Sequence, residues 1–286
     1  MNTTLHYIGA NGEAIDLINN PYFHLTDMDG MTEAATDISS STNSNFDGDR
    51  INNMRTRPRS LILDLTIRHC ANVEEAKRYI LRAIKPKQKG RLLLHQNKRD
   101  LEIEGTVETI SMPRFNNRKG IIMQVTLHCS EPYWQDVENV LFEISRVIDM
   151  HYFPLDVGGL AFPAGGVIMG EYDMNMTRTY INDGDDGCGM IIYIVATGNV
   201  TNPTIYKSDG SYIGVNVDMV AGDEVIINTN RGEKSITING TNILSKIKRG
   251  SSFLQLDPDD NVLTIGSDDN TGGNVYFLLS FKRRFV

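Results

Sequence analysis

Across 286 residues, only one segment repeats apolar side chains at helical spacing. Nearly every other apolar run is short, alternating or β-branched, and bounded by turn residues. A chain patterned this way is expected to be mainly β with one helix. The helix is predicted from Val73 to Lys85. Asn72 can cap it, Glu75 three residues on gives a capping-box pattern, and Val73, Ala76, Ile80, Ala83 and Ile84 share a face before Pro86 and Gly90 stop it. Before the helix, Leu61, Leu63, Leu65 and Ile67 alternate with Asp64, Thr66 and Arg68, the period of a strand with one face in a core. Strand-like runs follow at 91–95, 101–110 and 120–129, separated by turn-rich 97–100 and 115–120. The N-terminal half therefore reads as an antiparallel β structure clasping one helix.

A second unit is expected from about His151. Glu131-Pro-Tyr-Trp134 and the run 140–144 lead into Pro154 and the glycine-rich stretch 158–166, read as an interdomain crossing. Beyond it come short β-rich runs at 190–197, 212–217, 224–229, 235–239, 253–256, 262–265 and 275–281, with Asn239-Gly240 and Asn230-Arg-Gly232 as hairpin turns. Such strands without a convincing helix predict a β-sandwich of jelly-roll type. Domains are expected at 1–150 and 151–286, since length alone favours two.

Composition excludes whole classes. With 40% hydrophobic and 22% charged residues the chain is neither disordered nor fibrous. No run approaches the roughly 20 apolar residues of a membrane span, and the N-terminus lacks the basic start and apolar stretch of a signal peptide, so production in a cytoplasm without membrane insertion is expected. Cys70, Cys129 and Cys188 are too scattered for a disulfide framework or a zinc pair, and free, mostly buried thiols are expected.

Charge is segregated along the chain. Residues 1–49 hold eight acidic and no basic side chains, whereas residues 50–119 hold seventeen basic and seven acidic ones. The basic segment lacks the interleaved aromatics of a nucleic-acid module, so specific nucleic-acid binding is not expected. What remains is a solvated face or self-complementarity, with the acidic segment of one copy meeting the basic segment of the next. The sign changes inside the polar stretch 36–57, which reads as a long loop. Loops this long within compact domains are commonly functional, and this one is expected to be a binding arm that orders against a neighbour. Its contact candidates are Ile51 and Met54 for apolar contacts, and Arg50, Arg55 and Arg57 for carboxylates on the neighbouring copy.

Catalytic signatures are missing: there is no GxSxG elbow, Walker loop, HExxH or strand-to-helix GxGxxG. No enzyme activity, catalytic residue, metal or cofactor is expected. Asp183, Asp185 and Asp186 form a weak cation-site candidate, but the EF-hand spacing fails and a hydrated hairpin turn is the better reading. The alternative function is a carbohydrate-binding, lectin-like adhesion module, because jelly rolls host lectin sites. Against it, the single Trp134 lies outside the sandwich and the galectin His-x-Asn-x-Arg pattern is absent, although the tyrosines of the second half could still stack.

Several motifs in order carry a family resemblance along nearly the whole chain. They are Asp47-Gly48 and Arg57-Pro-Arg59 flanking the polar arm, the helix ending Ile84-Lys-Pro-Lys, Gly90-Arg-Leu-Leu-Leu94, Ile103-Glu-Gly-Thr-Val107 and the run Leu127-His-Cys-Ser-Glu-Pro-Tyr-Trp134. With these the chain resembles the distal tail proteins of long-tailed, siphovirus-like bacteriophages. Asp257-Pro-Asp-Asp-Asn261 departs from the family, where a Pro-Gly turn often precedes a late strand. The resemblance implies an N-terminal belt domain forming a homo-hexameric ring and a C-terminal galectin-like β-sandwich. It also implies a place in the virion at the distal end of the tail, joining the tail tube protein to the tail-associated hub or lysin protein and to receptor-binding proteins. A related bacteriocin or contractile particle could use the same ring.

Overall fold

The computed structural model describes residues 3–32, 35–42, 47–68, 72–96, 99–111, 121–143, 146–149, 170–173, 177–268 and 274–286. Two compact units emerge, Met1–Glu138 with Arg284–Val286, and Asn139–Arg283. The division falls before Val140, because the strand that starts there pairs with the second unit's sheet. The glycine-rich crossing at 158–166, Pro154, and the pair His69-Cys70 lie outside the described residues.

In the first unit the strands are β1 (Thr4–Ile8), β2 (Ala14–Asp16), β3 (Phe23–Asp29), β4 (Thr36–Thr42), β5 (Asp49–Thr56) and β6 (Arg59–Ile67). After helix α1 (Val73–Ala83) come β7 (Lys89–Gln96), β8 (Arg99–Ser111), β9 (Ile122–Cys129) and β10 (Trp134–Asp136). One antiparallel sheet runs in the order β2-β1-β7-β8-β9-β6-β3. The alternation in β6 has its expected outcome: Leu61, Leu63 and Leu65 are fully buried and stand opposite Leu127, Val125 and Met123 of β9. Ile80, Ala83 and Ile84 bring one face of α1 into the same core. Burial of each isoleucine contributes roughly 1.5–3 kcal/mol, which is where the helix gains its stability.

The helix is shorter than its apolar periodicity suggests. Ile84 is already extended, at φ −108° and ψ 105°, two residues before Pro86. At the other end the Asn72 side chain accepts a hydrogen bond from the Glu74 N–H at 3.1 Å. Asn72→Ala is expected to lower unfolding free energy by about 1 kcal/mol, measured by urea denaturation. An unchanged midpoint would mean that the cap contributes nothing.

In the second unit β11 (Val140–Glu143), β12 (Arg146–Asp149), β13 (Gly170–Asp173), β14 (Thr177–Asn182), β15 (Met190–Ala196), β16 (Val200–Thr201) and β17 (Thr204–Lys207) come first. They are followed by β18 (Tyr212–Gly214), β19 (Asp218–Met219), β20 (Glu224–Asn228), β21 (Ser235–Ile238), β22 (Thr241–Asn242), β23 (Asp259–Gly266) and β24 (Val275–Phe281). A last strand, β25 (Arg284–Phe285), returns to β10 of the first unit's sheet.

The sandwich consists of a six-stranded sheet, β11-β24-β15-β20-β21-β22, and a four-stranded sheet, β14-β23-β17-β18. Met190, Ile192, Ile194 and Leu279 of the first meet Ile205, Ile213, Leu263 and Ile265 of the second in one core. Alternation on both inner faces produces this, as two packed sheets require. Asn239 (φ 46°) and Gly240 (φ 79°) both lie in the left-handed region, which gives the two-residue turn between β21 and β22 its fit to the strand twist. The expected strand at 253–256 is absent: Leu256 makes only an isolated bridge with Cys188. Two strands that were not expected, β14 and β17, flank β23, and their polar Thr-Arg-Thr and buried Lys207 conceal them from an apolar reading.

Candidate assembly interface

The stretch 36–57 is not a loop. Strands β4 and β5 pair with each other from Thr36↔Thr56 to Thr42↔Asp49 and with no other strand among the described residues. A two-stranded hairpin is marginal by itself, because one pair buries too little to offset the entropy of ordering it. Its base is fastened by Thr56 Oγ1 and the Tyr133 hydroxyl, 2.9 Å apart, and by Arg57 N–H donating to Ala35 O at 2.8 Å.

A bulge gives the hairpin two unlike faces. Ser39 pairs with Asn53, but Ser40 pairs with Ile51, so Asn52 is the extra residue. That slip places Ile51 on the face that carries Met54 and its cross-strand partner Ile38. All three are open to solvent, at 54%, 61% and 59% exposure. The opposite face is polar, with Asp37, Ser39 and Ser41 across from Arg55, Asn53 and Arg50. The hairpin is thus an amphipathic ribbon with its apolar side uncovered, and uncovered apolar patches mark interaction surfaces.

The arginines depart from the expected pattern. Arg55 reaches Asp37 at 3.2 Å, and Arg57 bonds the other oxygen of the same carboxylate. Two of the three candidate cations therefore pair inside their own hairpin, and Asp37, from the acidic segment, is the partner that sequence reasoning missed. The bonds from Arg57, then from Arg55, hold the Asp37 carboxyl below its ordinary value of 3.8. A carboxyl so depressed steadies the hairpin above that ordinary value and loses its effect as pH falls through the lowered one. The hairpin amides are expected to lose exchange protection only below pH 3.8. Titration of Asp37 at its ordinary value, followed by NMR, would show the pairing to be idle.

The acidic loop after β14 is held as a turn. Asn182, wholly buried, donates to Leu256 O at 3.2 Å and to Asp186 O at 3.3 Å, and accepts from Gly184 N–H at 3.1 Å. Asp183 pairs with Arg283 at 2.6 Å. Asp183, Asp185 and Asp186 belong to no group of three His, Cys, Asp or Glu side chains able to hold a metal among the described residues.

Trp134 anchors the Glu131-Pro-Tyr-Trp134 motif. It is buried, donates from Nε1 to Met31 O at 3.2 Å and pairs with Phe285. Arg284 bonds Glu131 at 3.1 Å and lies over the Tyr133 ring. The motif therefore clamps the chain's end onto the first unit's sheet. Cys129 and Cys188 are buried and form no disulfide, and burial pushes the Cys129 thiol up to about 11, which leaves it protonated and unreactive at neutral pH. A pocket beside Gly9, Gly12 and Gly90 has its one lysine, Lys89, tied to Glu104 at 2.9 Å.

Comparison with known proteins agrees with the motif resemblance. Residues 183–285 match the family model of the siphovirus-type tail component, C-terminal domain. No curated protein matches the chain in sequence. Among solved structures, SPP1 Dit, described as a paradigm of the hub adsorption apparatus in phages infecting Gram-positive hosts, aligns over 100% of both chains with a TM-score of 0.69 at 14% identity. The phage P2 baseplate in its activated conformation with Ca aligns over 100% of both chains with a TM-score of 0.51 at 12% identity. Residues 183–285 thus match the C-terminal domain of a siphovirus-type tail component, and the chain as a whole shares the fold of SPP1 Dit.

Proposed function

We propose that six copies of this chain close into a ring at the distal end of a phage tail, joining the tail tube protein to the tail-associated hub or lysin protein and to receptor-binding proteins. Assembly would take place in the host cytoplasm, and the role is structural rather than catalytic. The observation that carries the reading is the amphipathic hairpin, β4 with β5. A closed ring needs a heterologous contact, in which one patch meets a different patch on the next copy. An exposed ribbon with Ile38, Ile51 and Met54 uncovered supplies one side of it. With Asp37 shared by Arg55 and Arg57, and Asp49 beside Arg50 on the same strand, little net charge is left on the ribbon for steering. Apolar burial, not ion pairing, then drives the contact.

The test is the mass of the full chain in solution. Six times 32.0 kDa at micromolar concentration, persisting at high salt, supports the reading. A monomer at every concentration opposes it. Assembly that vanishes at high salt returns the weight to the charged segments.

A further inference from the structure

The four-stranded sheet of the sandwich carries a feature on its outer face that the proposed hairpin contact does not involve. Thr177, Thr264, Tyr206 and Tyr212 stand in one register row across β14, β23, β17 and β18. Ile205 and Ile213, the alternating neighbours, fill the core, so both tyrosine rings point outward. Their centroids are 5.8 Å apart with planes tilted by 37°. Tyr206 is 45% exposed on an interior strand, and its hydroxyl bonds nothing among the described residues. Tyr212 is fixed by donating from its hydroxyl to Arg249 O at 2.7 Å.

The next row, Gly266–Thr204–Gly214, has almost no side chain rising from it. A Cβ on Gly266 would come within 3.3 Å of the Tyr206 ring, and one on Gly214 within 2.8 Å of Lys248 Cδ. The Lys248 stem lies over this row. Its ammonium donates to Thr204 Oγ1 at 2.9 Å and to Asp268 Oδ1 at 2.8 Å, while Asn202 Nδ2 donates to Asp268 Oδ2 at 2.8 Å. Thr204 and Tyr206 are two residues apart on one strand, about 7 Å along it. An aromatic platform and a fixed polar wall therefore lie side by side on adjacent rows of the sheet.

We propose that this face binds a neutral pyranose saccharide, stacked on the Tyr206–Tyr212 pair and hydrogen-bonded by Lys248, Asp268 and Asn202. The C–H face of a pyranose carries partial positive charge and packs on the negative face of an aromatic ring, while its hydroxyls need donors and acceptors at the ring edge. The wall offers both. Lys248 has a third N–H beyond the two already used, and carboxylate oxygens accept two bonds each. Because Lys248 and Asp268 neutralise one another, the three wall residues carry no net charge, and a neutral sugar is the class they match. A cross-strand aromatic pair also stabilises a sheet, but that effect alone accounts for neither Tyr206's exposure nor the wall beside it.

The site lies wholly in the second unit, so the proposal does not depend on the ring. The experiment is saturation-transfer NMR on the full chain with methyl glucoside, methyl galactoside, N-acetylglucosamine, lactose and maltotetraose at millimolar concentration, and with sialyllactose and glycerol phosphate as anionic probes. At least one neutral sugar is expected to receive saturation from tyrosine protons. Tyr206→Ala should weaken it at least tenfold. Tyr206→Leu keeps apolar area on the strand without an aromatic face and is expected to weaken binding equally while preserving the melt, which separates stacking from stability. Lys248→Gln should weaken it several-fold. Absence of binding by every neutral sugar, binding indifferent to both Tyr206 variants, or preference for the anionic probes would overturn the proposal.

Discussion

Ile51→Asp with Met54→Asp is expected to weaken self-assembly roughly a hundredfold or more, because each replaces an anchor worth about 2 kcal/mol at a buried contact by a charge that would be desolvated there. The isolated subunit should be unaffected, since both side chains are solvent-exposed in it. Ile38→Asp should behave the same way, for it shares their face. Arg50→Glu is expected to act mainly on the association rate and its salt dependence. Arg55→Glu and Arg57→Glu act differently: they release Asp37 and loosen the hairpin itself. Sedimentation velocity across a concentration series, beside urea unfolding of each variant, separates the two effects. Full assembly by the double aspartate variant would show the apolar face to be idle.

The second large effect concerns Trp134. Trp134→Ala is expected to cost about 3–5 kcal/mol of unfolding free energy, since it empties the space of a buried indole and removes one of the two donors to the Met31 carbonyl, Arg59 being the other. Trp134→Phe should recover most of the packing but not the hydrogen bond, at a cost of roughly 1–2 kcal/mol. Because Trp134 pairs with Phe285, both variants should also free the last residues, seen as faster amide exchange at Arg284 and Phe285. A loss below about 1 kcal/mol for Trp134→Ala would mean that the chain's end is not clamped by this residue.

How much of this was legible beforehand follows from periodicity. Leu61 to Ile67 and the face of Ala76, Ile80 and Ala83 announced themselves, because each element buries one side and its spacing records which. The inner strands of the sandwich were visible for the same reason. The hairpin was not. Its residues are mostly Ser, Asn and charged, a composition that suggests a loop, and its order comes from a partner strand rather than from its own pattern. Ile51 and Met54 were found as contact candidates, but three residues apart in a strand they belong on opposite faces, and only the bulge at Asn52 unites them. Ile38 and Asp37 were missed because their roles exist only once the register is known. Tyr206 and Tyr212 likewise become one platform through pairing across two strands, a relation that a linear reading does not contain.

Electron cryomicroscopy of the purified 286-residue chain shows whether the hairpin closes a ring. Six-fold rings are expected, with the Ile38, Ile51 and Met54 face of each hairpin seated against the next copy. Single subunits throughout, or rings whose hairpins stand free in solvent while other surfaces make the contact, would contradict it.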